Sequence, residues 1–256
     1  MNPDKRPPLP VFATAGQTFS MLSGCAGRLA QLGLLPALIT LASQIASGYF
    51  AAILGVIWLN SAWYVPYVII VTPFAVAWTR VVLLGSAAEP ASFVPRFGSR
   101  ELTYLGVSLL LALVTVVVPL GATLILFSSD RFGAAFGPLI VLDIVIVVLA
   151  IFTGLRLSFA LPAIAVDRFG GFGEPWRQTE GSALRIFAVG LLVSLPIAIA
   201  QVIASVLASF MGGGLPALIV RAAIEVTFTF AVLAGAITAI ALAYQHLTNR
   251  AAAPVA

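Results

Sequence analysis

Long apolar runs separated by short polar stretches form the dominant pattern of this chain. Residues 29–79 and 186–220, for example, contain no Asp, Glu, Lys or Arg. An α-helix needs roughly 20 consecutive apolar residues to cross the hydrocarbon core of a bilayer. The pattern therefore predicts an all-α, polytopic membrane protein built as a bundle of six transmembrane helices. The predicted spans are residues 30–56, 65–85, 102–128, 138–160, 186–210 and 217–246.

Shorter segments complete the predicted organisation. The polar, Pro-rich residues 1–10 predict a disordered cytoplasmic tail. Residues 11–28 are mildly amphipathic, which favours a short helix lying at the membrane interface. Residues 251–256 form a C-terminal tail, so that residues 11–250 make up a single membrane domain.

The composition supports lipid as the solvent of this chain. Hydrophobic residues make up 61% of it, charged residues only 9%, and the mean hydropathy is +1.11. A soluble domain is typically about 25% charged. The formal net charge of +4 does not indicate nucleic-acid binding, because the basic residues lie at the ends of apolar runs. They are expected to face anionic lipid head groups instead.

The distribution of the basic residues predicts the orientation of the chain. Six spans place both termini on one side, and that side carries eleven of the thirteen Lys and Arg residues. Loops rich in Lys and Arg are cytoplasmic, so both termini are predicted to be cytoplasmic. Arg outnumbers Lys twelve to one, which favours a bacterial chain and hence the bacterial inner membrane. The eleven are Lys5, Arg6, Arg28, Arg80, Arg96, Arg100, Arg156, Arg168, Arg177, Arg185 and Arg250, and the other two are Arg131 and Arg221.

The longest polar break, residues 154–185, lies between the fourth and fifth spans and carries four arginines. Arginine beside tryptophan at the end of an apolar helix favours contact with lipid phosphate at the membrane surface. The alternative is that the arginines only anchor helix ends on the cytoplasmic side. The predicted head-group contacts are Arg80, Arg156, Trp176, Arg177 and Arg185.

Ionisable residues inside apolar spans are costly and point to functional sites. Asp143 lies a few residues into the fourth span, while Arg221 and Glu225 lie one turn apart on one face of the sixth. Helix geometry places Gln44 and Gln201 at a similar depth. These five residues predict an intramembrane polar cluster. The alternative is structural: Arg221 pairs with Glu225 or Asp143, or reaches the head groups.

Small residues recur every four positions along the sixth span. Such a stripe lets another helix approach closely. It predicts either packing inside the monomer or the seam of a homodimer. The stripe consists of Ala223, Thr227, Ala231, Gly235, Ala239 and Ala243.

The chain offers little material for metal or covalent chemistry. Its single cysteine, Cys25, excludes an intramolecular disulfide and a cysteine metal cluster. Its single histidine, His246, excludes a histidine-based zinc site. The sequence therefore predicts no metal and no cofactor. Residues 22–25, Leu-Ser-Gly-Cys, also resemble a lipoprotein processing site, and the alternative is a buried or interfacial cysteine.

Three short stretches resemble a known family. They are residues 156–167 (RLSFALPAIAVD), residues 175–185 (PWRQTEGSALR) and residues 243–247 (AYQHL). They are similar to poorly characterised bacterial six-helix proteins related to the membrane domain attached to some glycerophosphodiester phosphodiesterases. The resemblance implies a six-helix inner-membrane domain without an established activity. It does not imply phosphodiesterase chemistry, which belongs to a separate soluble domain.

These observations favour a non-enzymatic scaffold or accessory protein that acts through contacts with membrane lipids or a protein partner, and not with nucleic acid. A small-solute or lipid transporter is the alternative, with Asp143, Arg221 and Glu225 in its pathway. A membrane-embedded enzyme is a third possibility that the scarcity of His and Cys disfavours.

Overall fold

A computed structural model describes residues 9–56, 64–85, 97–128, 136–212 and 214–251 of the chain. All regular structure within these ranges is helical. Outside these ranges lie most of both predicted tails, Trp58 and Trp63, and the basic residues Lys5, Arg6, Arg96 and Arg131.

The described residues form ten α-helices and one π-helical segment. The π-helical residues Leu113–Val117 join α4 to α5 without a break. The α-helices are α1 (Val11–Gly24), α2 (Ala26–Leu54), α3 (Tyr64–Leu84), α4 (Ser99–Ala112), α5 (Val118–Ser128), α6 (Phe136–Leu157), α7 (Ala160–Ala165), α8 (Gly173–Gln178), α9 (Ala183–Ser209) and α10 (Leu215–Ala251).

The predicted all-α fold with six membrane-crossing helices is confirmed. Within the described part of the chain, six helical stretches are long and apolar enough to cross a bilayer. They begin and end within a few residues of the predicted spans. The fourth extends further than predicted because α7 continues the apolar course of α6. The six stretches are Ala26–Ala51, Pro66–Leu84, Ser99–Thr123, Leu139–Ala165, Ala183–Ser209 and Leu215–Thr248.

Helix α10 lies at the centre of the bundle and contacts α1, α2, α3, α7 and α9. Its buried face is made largely of small side chains, including Ala234, Ala239, Ala241 and Ala243. Helices in a membrane gain little from hydrophobic exclusion and associate through close packing, which small residues permit. The small residues therefore explain how one helix can contact five others.

A buried hydrogen bond fixes α3 against α10. The indole of Trp78 is fully buried, and its Nε1 donates to the Thr238 Oγ1 at 2.9 Å. The Thr238 hydroxyl in turn donates to the Ala234 carbonyl within its own helix at 2.7 Å. A buried indole N–H without an acceptor is costly, so this pair favours a single rotation of α3 relative to α10.

The outward faces of α6 and α9 are apolar and exposed. Leu149 in α6 is 60% exposed, and Val202 in α9 is 63% exposed. Exposing these apolar side chains to water is unfavourable, whereas lipid tails solvate them. The exposed faces agree with a multi-pass membrane protein.

The predicted N-terminal helix is present as α1 and packs against α9 and α10. Thr14, Ala15 and Thr18 form its buried face. The Thr14 and Thr18 hydroxyls each donate to a carbonyl four residues earlier, which satisfies both groups away from water. Cys25 follows α1 directly and is half-buried, in contact with the apolar core.

The small-residue stripe of α10 is partly covered by the chain itself. Gly235, Ala239 and Ala243 are buried, whereas Thr227 is exposed. A Cβ built on Gly235 would lie 2.8 Å from the Cγ1 of Val193 in α9. This half of the stripe therefore serves packing inside the monomer.

The contact between Gly235 and Val193 generates a stability prediction. Gly235→Ala should destabilise the bundle by about 1–3 kcal/mol, because the added methyl overlaps a fully buried side chain. Gly190→Ala is the matched control, since a Cβ there meets no atom within 4 Å. That control should stabilise α9 by roughly 0.5–1 kcal/mol.

Thermal unfolding of the detergent-solubilised variants measures both effects. Adding Val193→Ala to Gly235→Ala should cost less than the sum of the two single changes, because the smaller side chain makes room for the methyl. Strict additivity would show that the two residues do not compete for the same space.

Candidate functional site

The connection between α6 and α9, residues 158–182, contains both short helices of the structure. Helix α7 is almost entirely buried and contacts α3, α4 and α10. Helix α8 contacts α6. The connection is therefore built into one end of the bundle.

The C-terminus of α7 is closed by a pair of backbone hydrogen bonds. The amide of Arg168 donates to the Ala163 carbonyl at 2.8 Å, and the amide of Asp167 donates to the Ile164 carbonyl at 3.1 Å. This is the Schellman pattern, which requires a left-handed residue and usually employs glycine there. Asp167 occupies that position with φ of 58°, and no other non-glycine in the described residues has a positive φ.

The carboxylate of Asp167 explains why glycine is absent. The Arg100 Nε donates to Oδ1 at 2.9 Å, and its second nitrogen donates to Oδ2 at 2.8 Å. A guanidinium nitrogen of Arg80 lies 3.6 Å from Oδ2 and also donates to the Ala165 carbonyl at 3.0 Å. We call Arg80, Arg100 and Asp167 the Asp167 clasp. It joins the ends of α3, α4 and α7.

The two guanidinium groups change the protonation of the clasp. The hydrogen bonds from Arg100 hold the pKa of Asp167 below its ordinary value. Partial desolvation opposes this lowering, and the charges of Arg100 and Arg80 add to it. Sequence reasoning did not include Asp167 in the site. The available signal was a carboxylate directly after an apolar helix on the arginine-rich side.

The five predicted head-group contacts fall into three environments. Arg80 is only 14% exposed and belongs to the Asp167 clasp. The Arg156 guanidinium carbon lies 4.5 Å from the ring centroid of Trp176 and 4.9 Å from that of Phe152. Arg177 and Arg185 are exposed.

The connection and the first turn of α9 together expose apolar and basic side chains. Trp176 is 42% exposed and Leu184 is 74% exposed, and Phe172 is exposed too. Arg177 and Arg185 lie beside them in the chain. Aromatic and basic side chains in one surface are typical of segments at the level of lipid head groups.

The predicted intramembrane cluster is partly brought together. The Gln44 Nε2 in α2 donates to the Oε2 of Glu225 in α10, although 181 residues separate them. The Oε1 of Gln44 is buried and makes no hydrogen bond with a described residue. Gln201 is half-buried in α9 without a side-chain hydrogen bond to the described part of the chain.

Asp143 and Arg221 have other partners. The Asp143 Oδ1 accepts from the Thr123 hydroxyl at 2.7 Å. Arg221 donates to the carbonyls of Gly212 at 3.1 Å and Ser209 at 3.4 Å, at the end of α9. Across the described residues no ion pair joins Arg221 to Asp143 or to the carboxylate of α10. The suggested pairing of Arg221 is replaced by capping of a helix C-terminus, where a cation is favourable.

Metal-ligating residues are scattered. Across residues 9–56, 64–85, 97–128, 136–212 and 214–251, no three His, Cys, Asp or Glu side chains are grouped so that they could hold a metal ion.

Comparison with known proteins identifies no relative: no family model, curated protein or solved structure matches the chain. The resemblance to the membrane domain attached to some glycerophosphodiester phosphodiesterases gains no support from these comparisons, nor does a bacterial origin. The structure supports the coarser statement of a polytopic membrane protein.

The Asp167 clasp generates a pH-dependent prediction. Asp167→Asn keeps a side chain that tolerates the left-handed conformation but loses the charge. We expect a loss of about 0–1 kcal/mol at neutral pH, because the carboxylate is largely exposed and screened by solvent. Since its pKa is lowered in the folded state, the carboxylate stabilises the fold fully above its ordinary pKa. That contribution disappears as the pH falls through the folded-state pKa.

Unfolding of wild type and Asp167→Asn in detergent, followed from about pH 7 down to about pH 3, measures this effect. The gap between the two stabilities should narrow as the pH falls below the ordinary pKa of Asp. Glu180→Gln is the control, since this exposed carboxylate of the same connection has no ion pair with a described residue. A gap that persists unchanged in acid would assign the effect to the backbone and not to the charge.

Proposed function

We propose that this protein is a non-enzymatic scaffold or accessory protein of the bacterial inner membrane, whose α6–α9 connection lies among the lipid head groups on the cytoplasmic side. The proposal rests on one observation: the connection and the first turn of α9 expose Phe172, Trp176 and Leu184 next to Arg177 and Arg185. Apolar side chains of this kind are favourable in the interface, and each nearby Arg adds about 1 kcal/mol at an anionic surface.

Internal contacts hold this surface in place. Pro175 of α8 is buried, and so is Thr179, which follows the helix directly. The Thr179 hydroxyl donates to the Pro175 carbonyl at 2.9 Å. The Trp176 ring lies over the guanidinium of Arg156 in α6. A fixed helix presents its exposed side chains without the entropy cost of ordering them on binding.

The arrangement of basic residues supports the orientation that we propose. Arg28 donates to the Gly85 carbonyl after α3 at 3.4 Å, so it lies at the same end of the bundle as the Asp167 clasp. Arg221, near the start of α10, donates to carbonyls at the end of α9, across the bundle from the connection. Positive residues collect on the cytoplasmic side, which supports cytoplasmic termini. The partners we propose are membrane lipids and, through the same surface or the exposed part of α10, a protein or a second copy.

A coupled transporter is a second candidate, favoured by the contact between Gln44 and Glu225. This contact joins α2 to α10 within helices long enough to cross the membrane. A carboxylate and an amide held together at that depth are costly unless they serve a polar pathway or tie the helices together. The scaffold proposal assigns them the second role.

Photocrosslinking tests the position of the connection. A photoreactive phenylalanine analogue at position 172 in native membranes should give lipid adducts, because this side chain is exposed beside the basic residues. The same analogue at position 74, where the side chain is 3% exposed, should react only within the chain. Arg177→Glu with Arg185→Glu should lower the yield of lipid adducts at position 172, since both changes repel an anionic surface. Adducts to protein alone at position 172 would contradict the lipid contact.

Proton flux into proteoliposomes distinguishes the two candidates. A scaffold should give no flux above that of empty vesicles, in wild type and in Glu225→Gln alike, as measured with an entrapped pH-sensitive dye. Flux in wild type that falls at least about tenfold in Glu225→Gln would favour the transporter, because a neutral amide cannot carry a proton. Glu180→Gln is the matched control, and it should leave any flux unchanged.

A further inference from the structure

Arg156 contacts two aromatic rings. It lies in the last turn of α6, one turn after Phe152, so the two side chains share a face. The second ring is that of Trp176 in α8, whose centroid lies 4.5 Å from the guanidinium carbon. Cation–π contacts of this kind fix the position of a guanidinium but satisfy none of its N–H donors.

The donors of Arg156 have no acceptor in the described part of the chain. Its Nε is buried and makes no hydrogen bond, and no ion pair or hydrogen bond of its other nitrogens involves a described residue. Arg28, Arg100 and Arg221, by contrast, each donate to a carbonyl or a carboxylate. A charged donor left without an acceptor is costly. Arg156 is thus available to an acceptor other than the described residues.

An exposed apolar stripe leads along α6 to Arg156. Val145, Val148 and Leu149 are all exposed, and they precede Phe152 by one or two turns on the same face. A stripe about two turns long is suited to the first carbons of an acyl chain. A phosphate at the guanidinium would lie at one end of this stripe, and an acyl chain would lie along it. A phospholipid has its phosphate and its acyl chains in the same order.

We propose that Arg156 binds the phosphate of a membrane phospholipid, with an acyl chain of that lipid along Val145, Val148 and Leu149. The planar guanidinium donates two parallel hydrogen bonds to the phosphate oxygens, and Phe152 and Trp176 hold its plane. The site rests on the proposed function in one respect, namely that the connection lies at the level of the head groups. It goes further by assigning one lipid to one arginine.

Native mass spectrometry of the full chain released from detergent measures this binding. Dioleoylphosphatidylglycerol is the ligand, dioleoylglycerol supplies the same chains without phosphate, and inorganic phosphate supplies the anion without chains. Wild type should retain the phospholipid and bind both other probes at least about tenfold more weakly. Equal binding of inorganic phosphate would overturn the lipid as the ligand, and equal binding of dioleoylglycerol would overturn the phosphate contact.

Variants locate the site. Arg156→Gln should weaken phospholipid binding by about ten- to hundredfold, the value of charge-assisted hydrogen bonds lost to a neutral side chain. Arg156→Lys should recover little of it, because an ammonium lacks the fork that matches a phosphate. Arg168→Gln removes the same charge from an exposed position of the same connection and should change binding less than about threefold. Equal losses in Arg156→Gln and Arg168→Gln would overturn the site.

A second variant tests the site in case Arg156→Gln does not fold. Trp176→Leu keeps Arg156 but removes one ring, and it should weaken phospholipid binding while the melting temperature stays near that of wild type. If Arg156→Gln does not fold, unchanged binding in Trp176→Leu overturns the proposal. Crosslinking at position 172 reports on the proposed function separately. Lipid adducts there without any effect of Arg156→Gln reject only this site, and protein adducts there with a full effect reject only the placement of the connection.

Discussion

The backbone carbonyls at the ends of apolar helices set the constraint on which this structure depends. The last four carbonyls of a helix have no partner within it, and lipid supplies none. Here arginine side chains from neighbouring helices supply the donors: Arg28 binds the Gly85 carbonyl, Arg80 binds the Ala165 carbonyl, and Arg221 binds carbonyls after α9. The same basic residues from which the sequence predicts the orientation therefore also hold the helices together.

At Asp167 the cost of the backbone conformation is similar in size to the stabilisation that its ion pairs give. A non-glycine in the left-handed conformation costs about 1–2 kcal/mol, less for Asp than for most residues. Its exposed ion pairs return about 0–1 kcal/mol. The turn alone would therefore be as stable with glycine. The carboxylate instead connects three helices, because Arg100 lies in the first turn of α4, Arg80 lies one turn before the end of α3, and Asp167 follows α7.

Arg156 has the same hydrogen-bond donors, but they have no acceptor among the described residues. Its charge is stabilised by Phe152 and Trp176, whose rings contribute attraction without accepting hydrogen bonds. An arginine that its own helices do not saturate is available to a phosphate oxygen. The scaffold proposal and the proposed phospholipid site both rest on the affinity of guanidinium groups for oxygen. Arg28, Arg80, Arg100 and Arg221 find that oxygen within the chain. In our proposal Arg156 finds it on a lipid phosphate.

The sequence by itself determined the helical class, the six spans and the clustering of charge on one side, because the burial of apolar helices in lipid depends on local composition. It also placed Gln44 and Glu225 at one depth. Only the tertiary structure decided the partners. Arg221 donates to backbone carbonyls. Because every residue has a carbonyl, the sequence does not indicate which one will accept. Trp176 contacts Arg156 because α8 packs against α6 in the folded chain. Asp167 binds Arg100 because α7 packs against α4. Adjacency of helices comes from packing over the whole chain, and no single stretch of sequence encodes it.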